Sequence, residues 1–258
     1  MKKIIALLCV YLGFISWVFA DDIRFVQVTD IRYSKADDNG LLSEFVQEVN
    51  KLEDVSFIVF SGNNINNPNI KNLEGFIKEA KKLRKPFYVL IGDKDVNKHK
   101  NLSKIQYASY LKKKLRNYWN TNTNYVFERD GIVFIVVDGS RDIVPSSVGY
   151  YKDGTLKWLE TKLDKYSNKN IVILQHYPLI SPDGKEVTFH PERYLELLAS
   201  HKNVKAVVSG TKYRSSEQDK DEIVHISTAQ FPYYRVIDIL DCKSSNPTIW
   251  AEIKELKK

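Results

Sequence analysis

An α/β fold, in which helices cover β-sheets, is the fold class that the sequence predicts. Short runs rich in Val, Ile and Phe end at a polar residue, a glycine or a proline, as buried strands do. Longer stretches with apolar residues at helical spacing lie between these runs, and this alternation is typical of α/β proteins. The predicted strands are 23–30, 55–62, 86–93, 131–139, 170–178 and 204–210, and the predicted helices are 41–52, 72–83, 156–166 and 191–201.

The C-terminal third of the chain has a different pattern. Strand-like segments at 222–229, 233–240 and 248–256 follow one another with little helix between them. This spacing predicts a closing antiparallel segment. The sequence contains no internal repeat, low-complexity tract or Pro-rich linker, so it predicts one domain over residues 21–258.

The first twenty residues have the pattern of a secretory signal peptide. Lys2 and Lys3 precede an apolar segment that ends at 18–20 with the small-x-small order of a cleavage site. We therefore expect an exported protein that has lost residues 1–20 and has no membrane span. A signal anchor that is not cleaved is the alternative, because the apolar segment is almost long enough to cross a bilayer. Cys242 is the only cysteine of the expected mature chain, so no intramolecular disulfide is expected.

Polar side chains follow the ends of the predicted strands, which is where ligands bind in open α/β sheets. In chain order these residues are Asp30, Arg32, Asn63, Asp93, Lys94, Asp95, His176, Thr211, Lys212 and Tyr213. The sequence has no G-x-S-x-G elbow, no G-x-x-x-x-G-K-[ST] phosphate loop and no C-x-x-C pair. Any chemistry is therefore expected at the strand ends.

The order of these strand ends resembles the calcineurin-like metallophosphoesterase family. Two longer segments share the resemblance: residues 154–180 are similar to the helix and strand that lead to the family's lone histidine, and 225–239 look like its last strands. The resemblance covers nearly all of the chain after residue 20. It implies a four-layer sandwich, in which two mixed β-sheets are flanked by helices.

The family's chemistry uses two adjacent metal ions that clamp a phosphate and activate a water. The resemblance implies ligand loops of the types D-x-H, G-D, G-N-H-(D/E), a lone histidine and G-H-x-H. Asp30 and His176 match two of the metal ligands, and Asp95 matches the outer acid of the third loop. At the remaining positions the side chains differ from the family's. Arg32 replaces a histidine, Asn63 replaces the bridging carboxylate, and Asp93 replaces an asparagine. Lys94 replaces the catalytic histidine, and Thr211 and Tyr213 replace the last two histidines.

These replacements predict a degenerate metal site. Arg32 has no lone pair to donate, and Lys94 has one only after it loses its proton. Asn63 is neutral, so the negative charge that would hold two dications together is missing. We expect no two-metal centre, no cofactor and no intact catalytic residue. The candidate remnants of the metal site are Asp30, Asp93 and His176.

The first function that the sequence supports is that of a non-catalytic pseudo-phosphoesterase, an exported binding or structural module. Fixed cations in place of the metals would form a metal-free pocket for an anionic or phosphorylated ligand. The candidates for this anion site are Arg32, Lys94 and Lys212. In the alternative, nearby carboxylates cancel these charges: Asp30 pairs with Arg32, and Asp93 or Asp95 pairs with Lys94.

Two other functions stay open at this stage. A divergent phosphoesterase or hydrolase would use one metal or an altered site, with Asp30, Asp93 and His176 as donors. A binder of nucleic acid or of an anionic envelope would use the basic runs at 81–85 and 111–116, which have aromatic residues nearby. Both runs have leucines at helical spacing, which is typical of solvated helix faces, and export argues against nucleic acid as a partner.

Overall fold

The computed structural model describes residues 22–100, 102–118, 122–181, 187–211 and 214–257. The predicted signal peptide at 1–20 lies outside these ranges, and so do Lys212 and Tyr213. Within these ranges no helix has both the length and the apolar character that are needed to cross a membrane.

Strands and helices alternate along most of the described chain. The strands are β1 Ile23–Val28, β2 Phe57–Phe60, β3 Phe87–Val89, β4 Tyr125–Arg129, β5 Ile132–Val137, β6 Ile171–Gln175, β7 Val204–Thr211, β8 Ser216–Lys220, β9 Ile223–Ala229, β10 Tyr233–Leu240 and β11 Thr248–Glu255. The helices are α1 Leu41–Val49, α2 Ile70–Ala80, α3 Lys104–Lys114, α4 Asp153–Lys165 and α5 Glu192–Ala199. A short 3-10 helix spans Lys98–Lys100.

The strands form two mixed sheets. The first has the order β11-β10-β1-β2-β3, and the second has the order β4-β5-β6-β7-β9-β8. Parallel pairing joins β1, β2 and β3 in the first sheet and β5, β6, β7 and β9 in the second. The predicted fold class, two mixed sheets flanked by helices, is confirmed.

The side chains of each buried strand point alternately to the two faces of its sheet, and this alternation produces the four layers. In β2, Phe57 and Val59 belong to the core between the two sheets, whereas Ile58 and Phe60 pack in the core beneath the helices. The successive side chains of a strand point to opposite faces, so one buried strand contributes to both cores. Phe57 is fully buried at the centre of the inner layer, where its ring lies 5.0 Å from that of Phe25 and 5.1 Å from that of Phe134.

The prediction of a closing antiparallel segment is correct for β10 and β11 and wrong for β9. β10 pairs antiparallel with both β1 and β11 in the first sheet. β9 instead lies inside the second sheet, parallel to β7 and antiparallel to β8. It is buried along almost its whole length, which matches an internal strand and not a closing edge.

β4, β8 and the first part of α3 were not predicted from the sequence, whereas the run at 111–116, which overlaps the end of α3, was expected to be a helix face. A turn at Asp130 and Gly131, both with positive φ (46° and 92°), joins β4 to β5. Asp-Gly between two apolar runs is a strong hairpin signal, and it would have located β4. α3 begins at a capping box, in which Ser103 accepts a hydrogen bond from the backbone N–H of Gln106 and the Gln106 side chain accepts one from the backbone N–H of Ser103.

We predict that Phe57→Ala lowers the free energy of unfolding by about 3–5 kcal/mol, because it leaves a cavity in the layer that joins the two sheets. Urea denaturation at neutral pH measures this change. Ile70→Ala is the control, since Ile70 is 40% exposed at the start of α2; its cost should stay below about 1 kcal/mol. Equal losses in the two variants would contradict the central role of this layer.

Candidate functional site

The loops after β1, β2, β3 and β6 meet at one edge of the molecule, between the two sheets. The loop after β1 runs beside the loop after β2, because the backbone N–H of Asp30 donates to Gly62 (2.9 Å) and that of Arg32 donates to Asn63 (2.9 Å). Asp30, Arg32 and Asn63 all have left-handed backbones, with φ of 55°, 52° and 54°. Such conformations cost energy in residues other than glycine and cluster at functional sites.

The side-chain amide of Asn63 connects three strand ends. Its Nδ2 donates to Asp30 Oδ1 at 3.0 Å and to Asp93 Oδ1 at 3.1 Å, while its Oδ1 accepts from the backbone N–H of Lys94 at 2.8 Å. The direction of the amide follows from its partners, since a backbone N–H only donates and a carboxylate only accepts. Asn63 therefore presents hydrogen atoms, and no lone pair, to the two carboxylates.

Gly92 is required for this arrangement. A Cβ at residue 92 would overlap the Asn63 side chain, including its carbonyl carbon and Oδ1. The glycine that ends the third strand segment thus makes room for the amide to reach the backbone of Lys94.

The Asp30 carboxylate is almost fully buried and is paired. Its side chain is 2% exposed, and Arg32 donates to Oδ1 through Nη2 at 2.9 Å and through Nε at 3.3 Å. Thr29 donates to the other oxygen at 3.1 Å. With the amide of Asn63, these donors satisfy a buried negative charge that would otherwise be costly.

Asp93 lies between one cation and one imidazole. Lys94 Nζ is 3.9 Å from Asp93 Oδ2, and His176 Nε2 is 4.0 Å from Asp93 Oδ1. Lys94 is half exposed, whereas the side chain of Asp93 is 10% exposed. The pairing of Asp93 with Lys94 is therefore longer and more solvated than the pairing of Asp30 with Arg32.

Ser61 and Gly62 fix the ring of His176. Nδ1 of His176 lies 2.8 Å from the backbone carbonyl oxygen of Ser61, which only accepts, so this nitrogen carries the proton. The ring packs on Gly62, where a Cβ would lie 2.6 Å from Nδ1 and where φ is 106°. In the neutral imidazole, the lone pair of Nε2 then faces Asp93.

Asp95 does not pair with Lys94. Its carboxyl is fully buried and accepts hydrogen bonds from the backbone N–H groups of Gly92 (2.8 Å) and Ile65 (3.0 Å) and from the amide of Asn64 (3.2 Å). Burial raises the pKa of this carboxyl to about 7, although the backbone hydrogen bonds lower it. Asp95 therefore holds the loop after β3 against the loop after β2.

The sequence analysis missed a buried ion pair beside the site. Lys104 Nζ, from the first turn of α3, lies 2.7 Å from Asp138 Oδ2, directly after β5. The same Nζ donates to the carbonyl oxygen of Ser140 at 2.6 Å. An acid directly after a buried strand was the signal for Asp138, whereas Lys104 lies in the first turn of α3, which was not predicted.

Burial, together with nearby Asp93, raises the pKa of Tyr177, which keeps its hydroxyl neutral.

The structure brings six of the predicted site residues together. These are Asp30, Arg32, Asn63, Asp93, Lys94 and His176. Thr211 ends β7, and its neighbour Gly210 donates a backbone hydrogen bond to the carbonyl of His176 at 3.0 Å. Lys212 and Tyr213 lie outside the described residues, so their predicted roles stay predictions.

The donor set does not fit a two-metal centre. The group between Asp30 and Asp93 is an N–H₂ donor. Oδ1 of Asp30 also accepts from Arg32, and Oδ2 of Asp30 accepts from Thr29. Divalent metals need lone pairs from carboxylate or imidazole groups. In the described ranges, no three His, Cys, Asp or Glu side chains form a group that would hold a metal ion.

The fold is a sandwich of two mixed sheets between helices, and acid, amide and imidazole groups follow the carboxyl ends of its parallel strands. The profile of the calcineurin-like phosphoesterase family matches residues 23–210. The chain belongs to this family, as the sequence analysis predicts.

Similar proteins include two with enzyme names. A probable glycerophosphodiester phosphodiesterase GpdQ of Arcobacter nitrofigilis is 27% identical over 229 residues, which cover 82% of this chain and 79% of that protein. A probable cyclic nucleotide phosphodiesterase of Xenorhabdus bovienii is 24% identical over 72% of this chain and 77% of its own. A dimetal phosphatase from Danio rerio has a similar fold, with a TM-score of 0.68 and 15% identity, over 88% of this chain and 98% of its own.

We predict that Asp95 makes the protein less stable as the pH rises. Its pKa is about 7 in the folded protein and near 3.8 ordinarily, so the folded state binds the proton more tightly. The resulting stabilisation is complete below about pH 4 and is lost as the pH rises through about 7, at up to about 1.4 kcal/mol per pH unit. Asp95→Asn should reduce the difference in unfolding free energy between pH 5 and pH 8.

Urea denaturation of both proteins at the two pH values tests this prediction. Burial lowers the pKa of His225 to about 4, which acts in the opposite direction, but His225 is present in both proteins and cancels in the comparison. Identical pH profiles for the wild type and Asp95→Asn would show that the carboxyl of Asp95 does not titrate in this range.

Proposed function

We propose that this chain is a metallophosphoesterase-fold protein without phosphoesterase activity, exported and used as a binding or structural module. The bridging amide of Asn63 is the observation that supports this function. It donates to Asp30 and to Asp93, so each carboxylate is satisfied without a metal. The family's chemistry instead needs a carboxylate that bridges two dications.

The balance of charges at the site supports a neutral pocket over an anion site. Arg32 is committed to Asp30 at 2.9 Å, and Lys94 lies 3.9 Å from Asp93. Arg32 and Lys94 therefore face two carboxylates, and these two described cations leave no excess positive charge for a ligand. The half-exposed side chain of Lys94 is the group best placed to leave its acid and contact a phosphorylated ligand.

A divergent hydrolase that uses one metal is the second candidate function. Nε2 of His176 lies 4.0 Å from Oδ1 of Asp93, and these two atoms are the donors that one ion would share. If an ion bound there, it would activate a water or polarise a phosphoryl oxygen. Ser61 would orient the imidazole, as its carbonyl does in the described structure. Both curated relatives described above carry phosphodiesterase names, which fit this alternative.

We predict that the purified protein binds divalent metal substoichiometrically and does not hydrolyse a chromogenic phosphodiester in the presence of Zn²⁺, Mn²⁺ or Mg²⁺. Elemental analysis and the hydrolysis assay check these two outcomes. Stoichiometric metal, together with turnover that is lost in His176→Ala, would establish the one-metal hydrolase instead.

Asn63→Asp is the matched positive control for metal binding. This variant replaces the N–H₂ donor by a carboxylate beside Asp30 and Asp93, so three acids and His176 would surround one position. Without metal it should be less stable than the wild type, since three carboxylates repel one another in a buried site. We expect Zn²⁺ to raise the Tm of Asn63→Asp and to leave the Tm of the wild type almost unchanged.

We further predict that inorganic phosphate binds the wild type with a Kd weaker than about 1 mM, because Arg32 and Lys94 each have an acid partner. Isothermal titration calorimetry with the wild type and Lys94→Ala measures this affinity. Tighter binding in the wild type that disappears in Lys94→Ala would support the metal-free anion site that the sequence also allows.

A further inference from the structure

The fold brings the two basic runs of the sequence together into one groove. The groove has a volume of about 460 Å³ and contains no acidic residue among its lining residues. We call it the basic groove; it is lined by Lys81, Lys85, Pro86, Phe87, Lys114, Leu115, Arg116 and Asn117. The sequence analysis treated the two runs as separate solvated helix faces, and their convergence depends on the tertiary structure.

The C-termini of two helices and the start of an edge strand position the groove. α2 ends at Ala80 and leads into the run at 81–85, whereas α3 ends at Lys114 and leads into residues 115–118. Asn117 Nδ2 donates to the carbonyl oxygen of Phe87 at 2.6 Å, and the hydroxyl oxygen of Tyr118 accepts a hydrogen bond from the backbone N–H of Val89 at 2.9 Å. These bonds attach the second run to the free edge of β3.

The groove lies away from the candidate site. It surrounds the first residue of β3, Phe87, whereas Asp93 and Lys94 follow the carboxyl end of that strand. Five residues lie between Phe87 and Asp93, so the two positions are at most about 20 Å apart along an extended chain. A ligand in the groove therefore does not need any residue of the candidate site.

The positive charge of the protein is concentrated around this groove. The runs at 81–85 and 111–116 contain eight cations and no acid, while the formal net charge of the whole chain is only +7. Lys82 pairs with Glu79 at 2.6 Å. The four lining cations have no ion-pair partner among the described residues; they are Lys81, Lys85, Lys114 and Arg116.

Favourable interactions with helix dipoles explain only part of this clustering of cations. A cation in the last turn of a helix gains about 0.3–1 kcal/mol from the dipole, and Lys114 has this position in α3. The last turns of α1 and α5 contain no basic residue, so the fold does not require such cations. Four cations that share a groove without a carboxylate repel one another, and a bound anion would relieve that repulsion.

We propose that the basic groove binds a linear phosphate polymer, with successive phosphates on Lys81, Lys85, Lys114 and Arg116. The groove is concave and its cations come from two chain segments, which suits a chain of charges better than a single phosphate. Of the described aromatic residues near the groove, Phe87 and Tyr118 are buried, and the ring of Tyr110 lies 5.7 Å from the ammonium of Lys114. The cations of the groove contact phosphates without regard to base sequence.

Fluorescence anisotropy with labelled oligothymidylate, at several salt concentrations, tests the proposal. Four phosphate contacts predict a slope of about −3 in log K against log salt. Lys85→Glu combined with Lys114→Glu should weaken binding at low salt by at least about tenfold and should reduce the slope to about half. Unlabelled inorganic polyphosphate should compete with the oligonucleotide if phosphates are the recognised groups.

The matched control is Lys152→Glu combined with Lys157→Glu, which changes the net charge equally at two exposed residues of the α4 region. We expect this control to bind within about threefold of the wild type. Lys94→Ala should bind oligothymidylate like the wild type, so the groove and the candidate site are tested separately.

Three results would overturn the proposal. They are undetectable binding of oligothymidylate and polyphosphate to the wild type at low salt, an equal loss of affinity in the groove variant and the α4 control, or binding only to vesicles of anionic lipid. Binding of polyphosphate in isothermal titration calorimetry, without binding of oligothymidylate in the anisotropy assay, would identify polyphosphate, and not nucleic acid, as the source of the phosphates.

Discussion

The amide of Asn63 is the interaction on which the candidate site depends. It contacts Asp30 after β1, Asp93 after β3 and the backbone of Lys94, and thereby holds together the ends of three neighbouring parallel strands. In a two-metal enzyme, one carboxylate between two cations performs this task. Here the polarity is reversed, because one hydrogen-bond donor lies between two carboxylates.

This reversal gives the buried acids of the pocket hydrogen-bond donors from the chain itself. Buried carboxylates are destabilising unless hydrogen bonds or cations satisfy them. Asp30 has Arg32, Thr29 and Asn63 as donors, and Asp93 has Asn63 and the more distant Lys94. Arg32 and Asn63, which lie where the family resemblance implies metal ligands, are thus donors to these acids.

The sequence predicted the fold class and most of the site because both follow from short-range patterns. Buried strands form continuous apolar runs, and the carboxyl ends of parallel strands lie at the same edge of a sheet. The orientation of the Asn63 amide depends on the backbone of Lys94 and on the space above Gly92, which belong to another strand. The pair of Lys104 and Asp138 likewise depends on where α3 packs, so neither was predictable locally.

In the loop formed by residues 92–95, the shape of the backbone and the chemistry of the pocket depend on different side chains. The buried carboxyl of Asp95 maintains the shape. Asp95 fastens the loop to Gly92 and Ile65 inside the protein, whereas Asp93 and Lys94 point to the pocket. Substitution of the two inner residues can abolish catalysis and still leave the loop folded. A family profile can therefore match this loop whichever side chains occupy positions 93 and 94, so a match to the loop reports the fold and not the chemistry.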